Sequence, residues 1–135
     1  MAKQLQIGDK AILTRTVTDE MVVAYADLIG DHNPVHLDEA FAATTRFGRR
    51  IAHGMLVAGL VSTVLASDLP GPGTVYLSQT LQFKAPVYLG DTISVTVEVI
   101  KARADKPIVT LATVCTNQDG KTVIEGEAVV LVQSQ

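Results

Sequence analysis

His53-Gly54-Met55-Leu56-Val57-Ala58-Gly59-Leu60-Val61-Ser62-Thr63-Val64-Leu65-Ala66-Ser67 is the stretch on which the fold turns. Its apolar residues recur at helical spacing but on almost every face, with only Ser62, Thr63 and Ser67 as polar relief. A helix of that kind is expected to be buried on every side, and it is too short to span a bilayer, which takes about 20 apolar residues. The chain beyond this helix is strand-like. Residues 75–83 come first, and residues 92–100 place Ile93, Val95, Val97 and Val99 on one face by alternation. Residues 108–116 and 122–132 come next, joined as a hairpin through Gln118-Asp119-Gly120. A wholly apolar helix succeeded by an antiparallel run predicts an α+β fold in which a sheet curls around that helix. Strands long enough to do so leave an edge that a second copy of the chain can pair with, so a homodimer is expected.

Working towards the N-terminus, residues 48–52 read as an irregular approach to the helix and residues 38–45 as a short helix. Residues 10–17 read as a strand. Thr18 can then cap a helix with Asp19 and Glu20 in its first turn, and Met21, Val22, Tyr25, Leu28 and Ile29 continue it at helical spacing. It runs into Gly30-Asp31-His32-Asn33-Pro34, where Pro34 disfavours helical geometry at Asn33, so a loop is expected over residues 30–36.

The chain of 135 residues reads as one domain spanning residues 1–135, with no repeat, linker or low-complexity segment. Hydrophobic residues make up 47%, charged residues 19% and aromatic residues 4%, so the core is expected to be mostly Val, Leu, Ile and Ala. The net charge is −3 and the eleven basic residues are scattered, which leaves no basic stripe for nucleic acid. The single cysteine, Cys115, excludes a disulfide within one chain and reads as a buried, inert thiol. No basic segment with an apolar run after it opens the chain, so a soluble, cytoplasmic protein without membrane partners is expected. No cluster has metal-ligand spacing.

Asp31, Asn33, Pro34 and His36 lie within six residues. A carboxylate and an imidazole on an irregular loop can converge on one water and move its proton near neutral pH. The plainer alternative is a capping aspartate, an Asn-Pro turn and a surface histidine, and spacing alone favours it. Gly54, at the start of the apolar helix, has a second meaning too. A first-turn N–H with no side chain beside it can hold an oxyanion, or the glycine can simply allow tight packing. His53 reads as a capping or packing residue.

The segment from Tyr25 to Ala42, with Gly30, Asp31, Asn33, Pro34, Val35 and His36 in order, resembles the hydratase motif of the MaoC-like (R)-specific enoyl-CoA hydratases. The resemblance continues through Ile51-Ala52-His53-Gly54-Met55-Leu56, Phe83-Lys84-Ala85-Pro86-Val87 and Gly90-Asp91, and covers essentially the whole chain. Its length looks most like that of the short bacterial hydratases that supply polyhydroxyalkanoate synthesis. The resemblance implies a dimeric hot-dog fold and reversible syn hydration of a trans-2-enoyl-CoA, of short chain, to an (R)-3-hydroxyacyl-CoA. It implies Asp31 and His36 as the catalytic pair and the Gly54 N–H as oxyanion donor, with no metal and no cofactor apart from the CoA of the substrate. One departure is Ile29, where the family carries a small or hydroxylated residue; a packing change below the loop is expected there. Asn33 is expected to orient the loop, Ser62 to support it or line the pocket, and Leu65 and Val130 to close the acyl tunnel. Lys84, Arg103 and Lys106 are candidates for the CoA phosphates by elimination, with ordinary solvated charges the plainer reading of each. Two other functions fit the same fold. An acyl-CoA thioesterase would not need the Asp31–His36 loop, and a non-catalytic acyl-CoA-binding subunit of a heteromeric dehydratase would commonly lack the pair.

Overall fold

The computed structural model describes residues 4–133. In chain order the elements are β1 (Lys10–Thr16), α1 (Asp19–Ile29), α2 (Pro34–Leu37), α3 (Glu39–Ala43), α4 (Gly54–Ser67), β2 (Val75–Gln79), β3 (Gln82–Phe83), β4 (Thr92–Ala102), β5 (Ile108–Thr116) and β6 (Thr122–Leu131). The strands form one antiparallel sheet in the order β1-β4-β5-β6-β2, with β3 also paired to β6. β1 and β2 are therefore its edges.

Alternation along β4 is strict, and Ile93, Val95, Val97 and Val99 are each fully buried. With Val109, Leu111 and Cys115 of β5 and Val123, Ala128 and Val130 of β6 they form the inner face of the sheet. Val57, Leu60, Val61, Val64 and Leu65 of α4 join them in a single core. Each fully buried Val or Leu contributes about 1.5–3 kcal/mol relative to exposure, which makes this contact the main restraint on α4.

α4 is not buried on every side. Met55 is 55% exposed, and Gly59, Ser62, Thr63 and Ala66 are exposed with it. The sheet of a single chain covers the rest of the helix and leaves this stripe open. No described helix is long and apolar enough to cross a membrane.

Two local departures from the sequence expectation have simple causes. The loop expected over residues 30–36 contains the one-turn helix α2, because Pro34 occupies its first position, where the missing N–H costs nothing. The strand expected over residues 75–83 divides into β2 and β3. Between them the Thr80 N–H donates to the Glu127 carbonyl, and Thr80 Oγ1 accepts from the Glu127 N–H at 2.9 Å. That crossing of backbones requires glycine at 126, because a Cβ there would overlap the Thr80 carbonyl. Gly126→Ala is expected to destabilise the fold by about 1–3 kcal/mol, seen as a lower denaturation midpoint in urea. An unchanged midpoint would show that the crossing relaxes freely.

Candidate active site

α1 is capped at its start by Thr18, whose hydroxyl accepts from the Met21 N–H at 3.2 Å. It ends at Gly30, whose φ of 81° is the left-handed conformation that glycine adopts without strain. That reversal carries the chain into Asp31, which is exposed. One carboxylate oxygen of Asp31 accepts from the Asn33 N–H at 3.2 Å, and Asn33 Oδ1 accepts from the Val35 N–H at 3.2 Å. Asn33 thus caps α2, the turn that carries His36. Ile29 is 53% exposed at the end of α1, so it does not pack beneath this loop.

His36 is 9% exposed. Its Nδ1 lies 2.7 Å from the Ile51 carbonyl, which can only accept, so Nδ1 carries the proton and Nε2 presents a lone pair when the ring is neutral. Arg50 holds the same turn from outside. Its Nε donates to the His36 carbonyl at 2.7 Å and its Nη2 to the Asp19 carboxylate at 2.6 Å, tying α2 to α1. Burial pushes the His36 pKa down. The Ile51 carbonyl opposes that shift, His53 adds to it and Asp31 opposes it, and the balance lies below the ordinary imidazole value of 6.5. At neutral pH His36 is a neutral ring with a free lone pair.

His53 caps the start of α4 and is 3% exposed. Its Nε2 lies 3.1 Å from the Asp31 carbonyl and donates to it. Its ring lies against that of His36, with centroids 3.9 Å apart and planes 31° apart, while Tyr25 meets it edge-on at 4.9 Å. One ligand-type atom from each of Asp31, His36 and His53 lies within 4.8 Å of the others. Two imidazole planes this nearly parallel meet far from either ring. One ion at the usual Zn–N distance of about 2.0–2.1 Å would not lie on both lone pairs, so the stack is a poor cage for a metal.

His36, alone of these three, lines a cavity of about 520 Å³ whose wall also includes Gly54. Most of the wall is apolar, from Phe47, Ile51, Met55, Phe83, Pro86, Val87 and Ile124. Gly54 stands in the first turn of α4, where its N–H has no helical acceptor, and no described backbone partner meets it. A Cβ on Gly54 would come 2.7 Å from the Phe83 ring, so a side chain there would crowd the cavity wall. Lys84 lines the cavity and pairs with Glu125 at 3.2 Å.

A second cavity of about 380 Å³ runs along the open stripe of α4, past Ala58, Gly59, Ser62, Tyr76 and Gln79. Met55 borders both. Ser62 lies in this second cavity. Leu65 and Val130 line neither, because both side chains pack in the core, at 2% and 0% exposure. Arg103 and Lys106 lie on a different depression, beside Pro70 and Pro107, and Arg103 is engaged by Asp105 at 2.7 Å. Cys115 is fully buried, and burial pushes its thiol up to about 11, so it carries no thiolate at neutral pH.

The MaoC like domain model matches residues 3–132. The chain belongs to the MaoC-like family. It is 50% identical over 129 residues to the (R)-specific enoyl-CoA hydratase of Aeromonas caviae, with 96% of both chains covered. It is 48% identical over 130 residues to the 3-hydroxybutyryl-CoA dehydratase of Methylorubrum extorquens, covering 96% of this chain and 82% of that one. The solved structure of the (R)-hydratase from A. caviae involved in PHA biosynthesis superposes with a TM-score of 0.95 at 49% identity, covering 98% of this chain and all of that one. The fold is accordingly the α+β hot-dog fold of that family.

Sequence reasoning missed Arg50 and undervalued His53. Arg50 carries no local signal, because its partners lie 14 and 31 residues away. His53 did carry one, since a histidine just before a buried helix must find its ring a place inside. The measurement that checks the site's electrostatics is an NMR titration of the three histidine rings. His36 is expected to titrate below pH 6.5. The unfolded chain then binds more protons than the folded one in that range, so stability is lost as pH falls from 6.5 through the folded-state pKa. A midpoint above 6.5 would show that Asp31 and the Ile51 carbonyl outweigh burial.

Proposed function

We propose that this protein is an (R)-specific enoyl-CoA hydratase, adding water across the 2,3-double bond of a trans-2-enoyl-CoA, and that it works as a homodimer. One observation carries the reading. A buried neutral histidine with its lone pair free and an unpartnered helix N-terminal N–H on Gly54 line one largely apolar cavity, with the Asp31 carboxylate beside the histidine.

In this reading the thioester carbonyl is held by the Gly54 N–H, which draws electron density towards oxygen and leaves C3 open to attack. Asp31 accepts one hydrogen of a water and orients it, while His36 Nε2 accepts the other. The water oxygen bonds to C3, its proton passes to Nε2, and negative charge collects on the thioester oxygen as an enolate. The His36 imidazolium then returns that proton to C2, and the enolate collapses to the saturated thioester. Because one residue takes and returns the proton, both additions fall on one face of the alkene. The apolar walls strengthen each of these electrostatic contacts by excluding water. Asn33 orients the loop through its cap on α2, Ser62 lies in the second cavity on the route proposed for the acyl chain, and Lys84, on the wall of the first, offers a cation to the CoA phosphates. The (R) hand is the one in the relatives' names.

The open stripe of α4 supports the dimer. Met55, Tyr76, Leu77 and Phe83 expose apolar surface around it, and edge strand β2 lies beside them, so a second copy would cover the stripe and extend the sheet. Sedimentation equilibrium is expected to give twice the chain mass, and a monomer at micromolar concentration would remove that part of the proposal.

The decisive assay monitors crotonyl-CoA by loss of its conjugated absorbance and identifies the product with an (R)-specific 3-hydroxyacyl-CoA dehydrogenase. The parent is expected to form the (R) product, and Asp31→Ala and His36→Ala each to lose at least about a hundredfold in kcat. Release of free CoA would instead make the protein a thioesterase. No turnover across short and long enoyl chains would leave an acyl-CoA-binding subunit.

A further inference from the structure

We infer that His53 is a positioning residue that anchors the Asp31 loop to the start of α4 and backs the His36 ring. The inference deepens the hydratase reading and rests on it.

Locally the loop bearing Asp31 is held by the Asn33 contacts and by His32 Nε2 against the Asp27 carboxylate at 3.0 Å, which fix the turn's shape and tie it to α1 but not to α4. The anchor to the core is the His53 Nε2–H donated to the Asp31 carbonyl at 3.1 Å, across 22 residues. The donor itself cannot drift, because His53 immediately precedes a helix pinned by its buried face. Asp31 is thereby referred to the same rigid element that presents the Gly54 N–H. Base loop and oxyanion donor share one origin, and their separation is set by two adjacent residues of the chain. This is how a site on a loop gains the tolerance of about 0.5 Å that a reacting geometry demands.

The ring itself has a second role. His36 Nε2 must take up a proton and give it back, so the imidazolium must be tolerated briefly and not trapped. Groups facing the His53 ring are Tyr25 from α1, the Asp31 segment and His36 from α2, while Arg50 stands on the far side of the α2 backbone. His53 Nδ1 is buried with no hydrogen-bond partner. The geometry leaves His53 two functions, its Nε2–H on the Asp31 carbonyl and its ring face against His36. His53 does not line the cavity, so it acts through Asp31 and His36 and not on substrate.

Two substitutions separate the roles. His53→Gln can place an amide donor near the Nε2 position while removing the ring. His53→Phe keeps a ring against His36 and Tyr25 while removing the donor. With the parent's turnover of crotonyl-CoA established first, His53→Gln is expected to keep kcat within about threefold. His53→Phe is expected to lose at least about tenfold in kcat with KM within about twofold, because a displaced Asp31 impairs the reacting geometry more than binding. The acid limb of kcat/KM is expected to move to higher pH in His53→Gln, because the imidazole that lowers the proton affinity of His36 is gone. Parental kcat in His53→Phe, equal losses in both variants, or an unmoved acid limb would overturn the inference. One readout needs neither activity nor a folded variant. Ring 15N shifts of the parent are expected to show the neutral His53 ring carrying its proton at Nε2. A neutral His53 ring protonated at Nδ1 would overturn it even if the hydratase reading stands. Failure of the parent to hydrate any enoyl-CoA, with the 15N pattern as expected, would count against the reaction and not against the anchor.

Discussion

Burial of α4 against β4, β5 and β6 is the contact on which the site depends. A helix packed by Val57, Leu60, Val61, Val64 and Leu65 cannot slide or rotate without opening voids, and interiors close-packed to crystal density resist that strongly. Its first turn is therefore fixed in space. Everything that faces the cavity is measured from that turn. Gly54 belongs to it, His53 caps it, and through His53 the loop from α1 to α2 is tied to it. The sheet does not supply the reacting groups. Its contribution is the rigidity of the helix that positions them.

Around that fixed point the polar groups are arranged so that each has one free function. The Ile51 carbonyl takes the His36 Nδ1 proton and so leaves Nε2 as an acceptor. Asn33 occupies part of the Asp31 carboxylate and orients the remainder. Arg50 uses its charge on Asp19 and its Nε on the His36 backbone, which keeps a cation close to the loop without offering it to the carboxylate of Asp31. Burial lowers the proton affinity of His36 while Asp31 raises it, and the two opposed effects leave a ring that can accept a proton and release it. An exposed histidine beside the same carboxylate would hold its proton more tightly at neutral pH and return the lone pair to the site less often.

Much of the architecture was legible in the sequence because it is written in local periodicity. Alternation in β4 and the apolar run of α4 each need only about a dozen residues to declare themselves. The Asp31–His36 loop was legible as a pair of chemical groups, though its spacing alone favoured a turn over a site, and only the resemblance changed that balance. The features that were not legible depend on contacts between distant segments. Arg50, the break between β2 and β3 at Gly126, and the placement of Leu65 and Val130 in the core all arise where the folded chain brings far residues together. The open stripe of α4 was missed for a related reason. A helix apolar on all faces reads the same whether its last face is covered by its own chain or by another.

That ambiguity bears on how the molecule is built. Met55 and Phe83 belong both to the cavity that holds His36 and to the apolar surface left uncovered. Residues that must be apolar for the acyl chain must then also be apolar where the chain is open to water, a state that soluble surfaces of this kind do not keep at low cost. In the proposed homodimer the two demands coincide. A partner that removes the stripe from water would also cover the second cavity, past Ser62 and Tyr76. The single chain holds Asp31, His36 and His53 in place by itself, and the surface proposed for the acyl tail would be completed by the same contact that would stabilise the assembly.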